Sequence, residues 1–159
     1  MKQFLFILTM ITSIHAMEPG KQQSWNGAYY HQNSSPQLRA AIKLLQSLEM
    51  TEHRAIVDIG CGSGEVTYAI THLAPLAYVV GTDASASMIE KAENTYGQKP
   101  RLSFKLVDAQ DESHSFFKEA QFDLAFSSAA LLWMPNKQAV FNNIHCILKD
   151  GGKMVVKTT

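Results

Sequence analysis

The stretch that decides the fold is Val57-Asp58-Ile59-Gly60-Cys61-Gly62-Ser63-Gly64-Glu65. A short apolar strand, Ala55 to Ile59, runs into three glycines at alternate positions, and a helix reads from about Glu65 to Leu73. Glycines at such a strand-to-helix turn let the backbone reverse sharply and let a ligand approach it closely. The dinucleotide fingerprint G-x-G-x-x-G/A fails by one residue, because Glu65 stands where its third small residue belongs. Asp58 precedes the first glycine by two residues. A carboxylate there repels a pyrophosphate and attracts an ammonium or sulfonium group.

Outward from this turn the chain alternates. Ala77–Gly81, Leu102–Val107, Phe122–Phe126 and Lys153–Thr158 read as further strands. Helices are expected over 36–49, from a Ser87/Glu90 capping box to about Thr95, and after Pro135-Asn136 to Leu148. Asp150-Gly151-Gly152 reads as a tight turn before the last strand. Strands separated by helices of about ten residues predict an α/β, Rossmann-like, mostly parallel sheet with helices on both faces. No internal repeat or low-complexity tract interrupts it.

Two more acids follow strand ends. Asp83 lies twenty-three residues past Gly60, where a carboxylate accepts from both ribose hydroxyls in nucleoside-binding folds of this type. Asp108 follows the third strand. Three acids at three consecutive strand ends converge on one edge of the sheet.

The 159 residues suffice for one domain. They are 46% hydrophobic and 18% charged, with 14 basic and 14 acidic side chains and a formal net charge of zero. That balance lacks the basic excess of a nucleic-acid binder. Cys61 and Cys146 have no metal-ligand spacing and make no disulfide framework. Cys61 reads as a small filler of the turn, not a nucleophile. No apolar run is long enough for a stable membrane span.

The N-terminal region divides in two. Residues 1–16 have a lysine, an apolar stretch and a closing Ala16, the layout of a secretory signal. Translation from Met17 is the other reading. The first places the protein outside the cell, the second in the cytoplasm. Residues 17–35 read as a cap segment with Trp25, Tyr29 and Tyr30, and 36–159 as the domain. Residues 1–16 are left out of the fold on either reading.

The sequence resembles the class I S-adenosylmethionine-dependent methyltransferases over about residues 55–157. VDIGCGSG, GTDAS, VDAQD, FDLAFSSAALLW and ILKDGGKMVV match five successive family motifs in order. Ser24-Trp25-Asn26 and Tyr30 to Ser35 look like the N-terminal cap of the trans-aconitate and juvenile-hormone-acid methyltransferase-like branch. The resemblance implies S-adenosyl-L-methionine as cofactor, a small-molecule acceptor and no metal. It implies that Gly60, Cys61 and Gly62 meet the methionine part of the cofactor, with Asp58 near its amino group. Asp83 would hold the ribose hydroxyls, and Ala84 and Met88 would line adenine and ribose. Asp108 and the Ala109 backbone would face the adenine amino group. Ser127 would sit near the sulfonium, and Tyr30 and Gln37 would close the cap. No catalytic residue is assigned.

The family's domain continues past its fifth strand into a sixth and a seventh, which have no counterpart here. The expectation is a fragment, or an exposed strand-five edge covered by a partner or second copy. The function expected is methyl transfer to a small molecule, with a carboxylate as acceptor. The alternatives are a non-catalytic S-adenosylmethionine-binding fragment or subunit and, less favoured, an NAD-dependent oxidoreductase. A secreted interaction domain is a further reading, tied to cleavage after Ala16.

Overall fold

The computed structural model describes residues 3–4 and 35–158. Tyr30, Trp25, the rest of the expected cap up to residue 34, and all but two residues of the 1–16 leader lie outside the described residues. In chain order the elements are β1 (Gln3–Phe4), α1 (Pro36–Gln46), β2 (Ala55–Ile59), α2 (Glu65–Leu73), β3 (Tyr78–Asp83), α3 (Ala86–Tyr96), β4 (Leu102–Leu106), β5 (Phe122–Ser128), α4 (Lys137–Ile147) and β6 (Leu148–Lys157). Single 3-10 turns occupy Ser115–Phe117 and Leu131–Trp133.

All strands are parallel, in the order β1-β6-β5-β2-β3-β4. The expected α/β architecture is the one observed. Strand order reverses at β2, with β3 and β4 on one side and β5 and β6 on the other. Ligands of open α/β sheets bind beyond the strand C-termini at such a reversal. Gln3–Phe4 pairs with Lys153–Met154 on the outer side of β6, so two residues of the leader lie against the strand expected to form a bare edge.

Alternating side chains feed two apolar layers. Ile56, Val79, Phe104, Leu124, Phe126 and Val155 pack with Ala41 and Leu45 of α1 and Ile70 of α2. Val57, Ile59, Ala125, Met154 and Val156 face Val140, Ile144 and Ile147 of α4. Each fully buried aliphatic side chain contributes about 1.5–3 kcal/mol.

Several boundaries differ from expectation for identifiable reasons. Helix α1 stops at Gln46, and Ser47 Oγ turns back onto the Leu44 carbonyl at 2.6 Å. Strand β3 runs on to Asp83 because Thr82 and Asp83 still pair with Lys105 and Leu106. The cap of α3 is Ser85, not Ser87: the Ser85 hydroxyl accepts from Met88 N at 3.4 Å. Asp150-Gly151-Gly152 does not precede the last strand but lies within it. Phe122 pairs with Leu148 and Leu124 with Lys153, so β6 carries a bulge there, with Gly151 at φ +78°.

Candidate functional site

The turn after β2 is pinned to β3 by backbone bonds. Gly60 N and Cys61 N both donate to the Thr82 carbonyl, at 2.8 and 2.9 Å. Gly62 N donates to Asp83 Oδ2 at 2.9 Å, and Ser85 N donates to Asp83 Oδ1 at 2.9 Å. Each Asp83 oxygen thus anchors one backbone N–H and retains accepting capacity for a ligand. This carboxylate joins the glycine turn to the start of α3.

The three turn glycines do different work. Gly60, Gly62 and Gly64 all have positive φ, at +73°, +55° and +87°. A Cβ on Gly60 would lie 2.2 Å from the Ala130 Cβ, so Gly60 lets the loop after β5 close on the turn. A Cβ on Gly64 would meet the Phe104 ring at 2.8 Å, so Gly64 lets α2 sit close to the sheet. A Cβ on Gly62 would meet nothing within 4 Å. Gly62 is the turn glycine that opens a free face to a ligand, directly beside Asp83.

Asp58 is 1% exposed and accepts from Thr67 Oγ1 at 2.7 Å. Burial pushes its carboxyl up to about 7, the Thr67 bond opposes the rise, and Asp83 adds to it. Asp58 therefore lies under the turn, where it buttresses α2. Cys61 is also buried, and burial first, then Asp58 and Asp83, pushes its thiol well above the usual range. It is a filler, with no thiolate to offer at neutral pH.

Around this core the other expected residues separate. Ala84 and Met88 are exposed on the first turn beyond β3. Asp108 is exposed, and its Oδ1 accepts from Gln110 N at 2.9 Å and from Gln110 Nε2 at 3.3 Å. Ala109 is buried, and its carbonyl accepts from Asn143 of α4 at 3.0 Å. Ser127 is fully buried, and its hydroxyl donates to the Ile59 carbonyl at 2.9 Å, stapling β5 to β2 where strand order reverses. Gln37 lies in the first turn of α1 with its Oε1 buried and without a partner among the described residues. Asp58, Gly60, Cys61, Gly62 and Asp83 form one connected unit. Asp108 and Ala109 occupy the neighbouring loop.

Sequence reasoning missed the residues that act through these. Thr67, Asn143 and Gln110 are polar side chains holding a carboxylate or a loop in place. Thr67 carried a signal, as a polar residue inside the apolar run Val66–Ile70; Asn143 and Gln110 carried none. Among the described residues no group of three His, Cys, Asp or Glu side chains can hold a metal ion, and no helix is long and apolar enough to cross a membrane.

A doubly wound sheet, a glycine turn open at one position and a carboxylate at the next strand end define an open α/β protein with its candidate site at the strand reversal. The chain belongs to the methyltransferase-domain family, which matches it over residues 57–154. It is 32% identical over 95% of its length to protein 235L of Invertebrate iridescent virus 6, a methyltransferase by designation, and covers 51% of that protein. It is 34% identical over 84% of its length to a trans-aconitate 2-methyltransferase of Deinococcus radiodurans, covering 49% of that enzyme. Among solved structures it resembles a Haemonchus contortus phospholethanolamine N-methyltransferase 2 in complex with phosphomonomethylethanolamine and S-adenosylhomocysteine. That match has a TM-score of 0.62 and 25% identity, over 76% of this chain and 27% of that one. The chain spans about half the length of the curated relatives it matches.

Proposed function

We propose that this chain binds S-adenosyl-L-methionine and takes part in methyl transfer to a small-molecule acceptor, with a carboxylate as the accepting group. The observation that carries the reading is Asp83, a carboxylate fixed by two backbone N–H groups beside the open face of Gly62. Trans-aconitate methyltransferases among the relatives support both the cofactor and an acidic acceptor.

The residues fit a cationic nucleoside. Asp83 accepts from a pair of ribose hydroxyls, and the flat Gly62 face admits the chain linking ribose to the amino acid. Ala84 and Met88 supply apolar surface next to Asp83, and Asp108 accepts from an adenine amino group. When bound, S-adenosyl-L-methionine supplies a methyl group on a positively charged sulfur that leaves as a neutral thioether. Charge disperses in such a displacement, so the protein needs no oxyanion hole, and alignment and exclusion of water carry the rate. A carboxylate acceptor needs no general base.

Calorimetric titration of S-adenosyl-L-methionine into the full chain tests the cofactor reading, with Asp83→Ala as control and NAD in parallel. Two charge-assisted hydrogen bonds are at stake, so Asp83→Ala should weaken binding roughly 100-fold. Equal binding by the variant, or binding of NAD in place of the sulfonium cofactor, overturns it. The half-length coverage of the relatives favours a second reading, a cofactor-binding part that turns over only with a further chain. Binding without turnover of any carboxylate acceptor tried separates that reading from the first.

A further inference from the structure

Lys157 is the last residue of β6 and pairs with Ser128 at the C-terminal edge of the sheet. Its carbonyl accepts from Ala129 N at 2.9 Å, and the next residue, Ala130, is the one that abuts Gly60. Lys157 thus stands at the same sheet edge as the glycine turn, one strand beyond β5. Val155 packs in the layer shared with Ala41 and Leu45, whereas Met154 and Val156 face α4. Strand alternation therefore turns Lys157 toward the α1 side.

As a whole residue Lys157 is only 4% exposed, its stem buried and its ammonium reaching solvent. Among the described residues no carboxylate pairs with it; the ion pair recorded there joins Lys149 to Asp123, near the opposite ends of the strands. Burial lowers its ammonium pKa, with no neighbouring charge acting on it. Two polar atoms nearby, Thr158 Oγ1 on the adjacent residue and Gln37 Oε1 in the first turn of α1, are buried without partners among the described residues. Helix α1 runs against the strands, because the chain after it reaches Arg54, whose N–H donates to Asp123 Oδ2 at 2.7 Å at the start of β5. Its first turn, with Gln37, accordingly belongs to the Lys157 end.

A lysine whose stem is buried while its ammonium reaches solvent at a sheet edge, with no carboxylate beside it among the described residues, is placed to pair with an anion from solution. The charges along this edge are divided. Asp58, Asp83 and Asp108 lie on the β2–β4 side and suit a cation, while Lys157 stands across the reversal point and suits an anion. We propose that Lys157 is the specificity-determining cation for the acceptor, holding an anionic carboxylate of the substrate through its Nζ. This rests on the cofactor reading above and adds the residue that selects the acceptor.

The test uses the full chain saturated with S-adenosylhomocysteine, titrated with trans-aconitate, fumarate and benzoate. At least one should bind saturably. Lys157→Met should weaken that binding at least tenfold, Lys157→Arg should keep it within threefold of wild type, and neither should change S-adenosylhomocysteine affinity by more than twofold. The thermal midpoint of Lys157→Met should equal or exceed that of wild type, because methionine keeps the buried stem and the charge removed has no partner among the described residues. Unchanged carboxylate affinity in Lys157→Met overturns the proposal. So does failure of all three acids to bind the loaded chain, or a marked fall in the midpoint in both variants, which would make the lysine structural. Failure of the wild-type chain to bind S-adenosylhomocysteine instead overturns the cofactor reading itself, and this inference with it.

Discussion

The two sides of the strand reversal are built by different means. On the β2–β4 side the backbone makes the site: the turn glycines, the Thr82 carbonyl and two N–H groups on Asp83 form a closed hydrogen-bonded unit. On the β5–β6 side the prominent features are side chains. Trp133, 84% exposed, and the exposed Leu132 project from a 3-10 turn, and Lys157 is buried without a partner among the described residues. A backbone-built site restricts which residues can occupy it and leaves a pattern. A side-chain-built site leaves almost none, because lysine and tryptophan occur for many reasons. The first suits a cofactor that does not vary, and the second suits a substrate that does.

Substitutions at the seam test how far the two sides are independent. Gly60→Ala should have the largest effect. Its Cβ would collide with Ala130 at 2.2 Å, and its φ of +73° disfavours any side chain. Overpacking and backbone strain together predict a loss of about 3–5 kcal/mol in urea denaturation. A loss below 1 kcal/mol would show that the loop after β5 is free to move from the turn.

Asp58→Asn comes next, and its effect depends on pH. The native carboxyl is raised to about 7 from an unfolded value of 3.8, so the native state binds the extra proton between those limits. Stability from this group is therefore complete below about pH 4, falls as pH rises toward 7, and is flat above. The slope is at most about 1.4 kcal/mol per pH unit. Asp58→Asn should remove this slope and be the more stable protein at pH 8 in the absence of ligand. Parallel stability curves for the two proteins between pH 5 and 8 would place the charge elsewhere.

Ser127→Ala should lose about 1–2 kcal/mol, because it strips a buried carbonyl, that of Ile59, of its Ser127 hydrogen bond. If Ser127 acts as a staple, S-adenosylhomocysteine affinity should fall less than threefold. A larger fall, measured by calorimetry, would put its hydroxyl at the cofactor. The smallest effect on stability is expected of Gly62→Ala, about 1 kcal/mol from its positive φ alone. There the loss should appear in cofactor binding, and unaltered affinity would mean the open face is not the one used.

The same contrast explains what could be read from the chain alone. The order of β2 to β6, the parallel sheet and the unit of Asp58, Gly60, Gly62 and Asp83 were all legible, because backbone geometry limits those positions to few residue types. Asp58 was legible as a carboxylate at the glycine turn, but its burial against Thr67 was not, since that depends on how α2 packs. The Ser87/Glu90 spacing pointed to a cap two residues too late, because the hydroxyl of Ser85 takes the Met88 N–H instead. Ser127 was placed at the right strand end, yet which atom its hydroxyl meets is a matter of strand register. Lys157 read as an ordinary strand residue. Only the pairing of β6 with β5 shows which side it takes.

That pairing has a consequence for chain-length variation. Three residues of β5, Phe122 to Leu124, are matched by six of β6, Leu148 to Lys153, and the slack lies in the exposed Lys149, Asp150 and Gly151. An insertion between Asp150 and Gly151 can be absorbed there, leaving the strand beyond in phase. The same insertion after Lys153 has no slack to enter. It would invert Met154 to Lys157, turning valine toward the wrong layer and the lysine to the α4 face. The bulge therefore acts as a length buffer, upstream of a segment whose phase must not change.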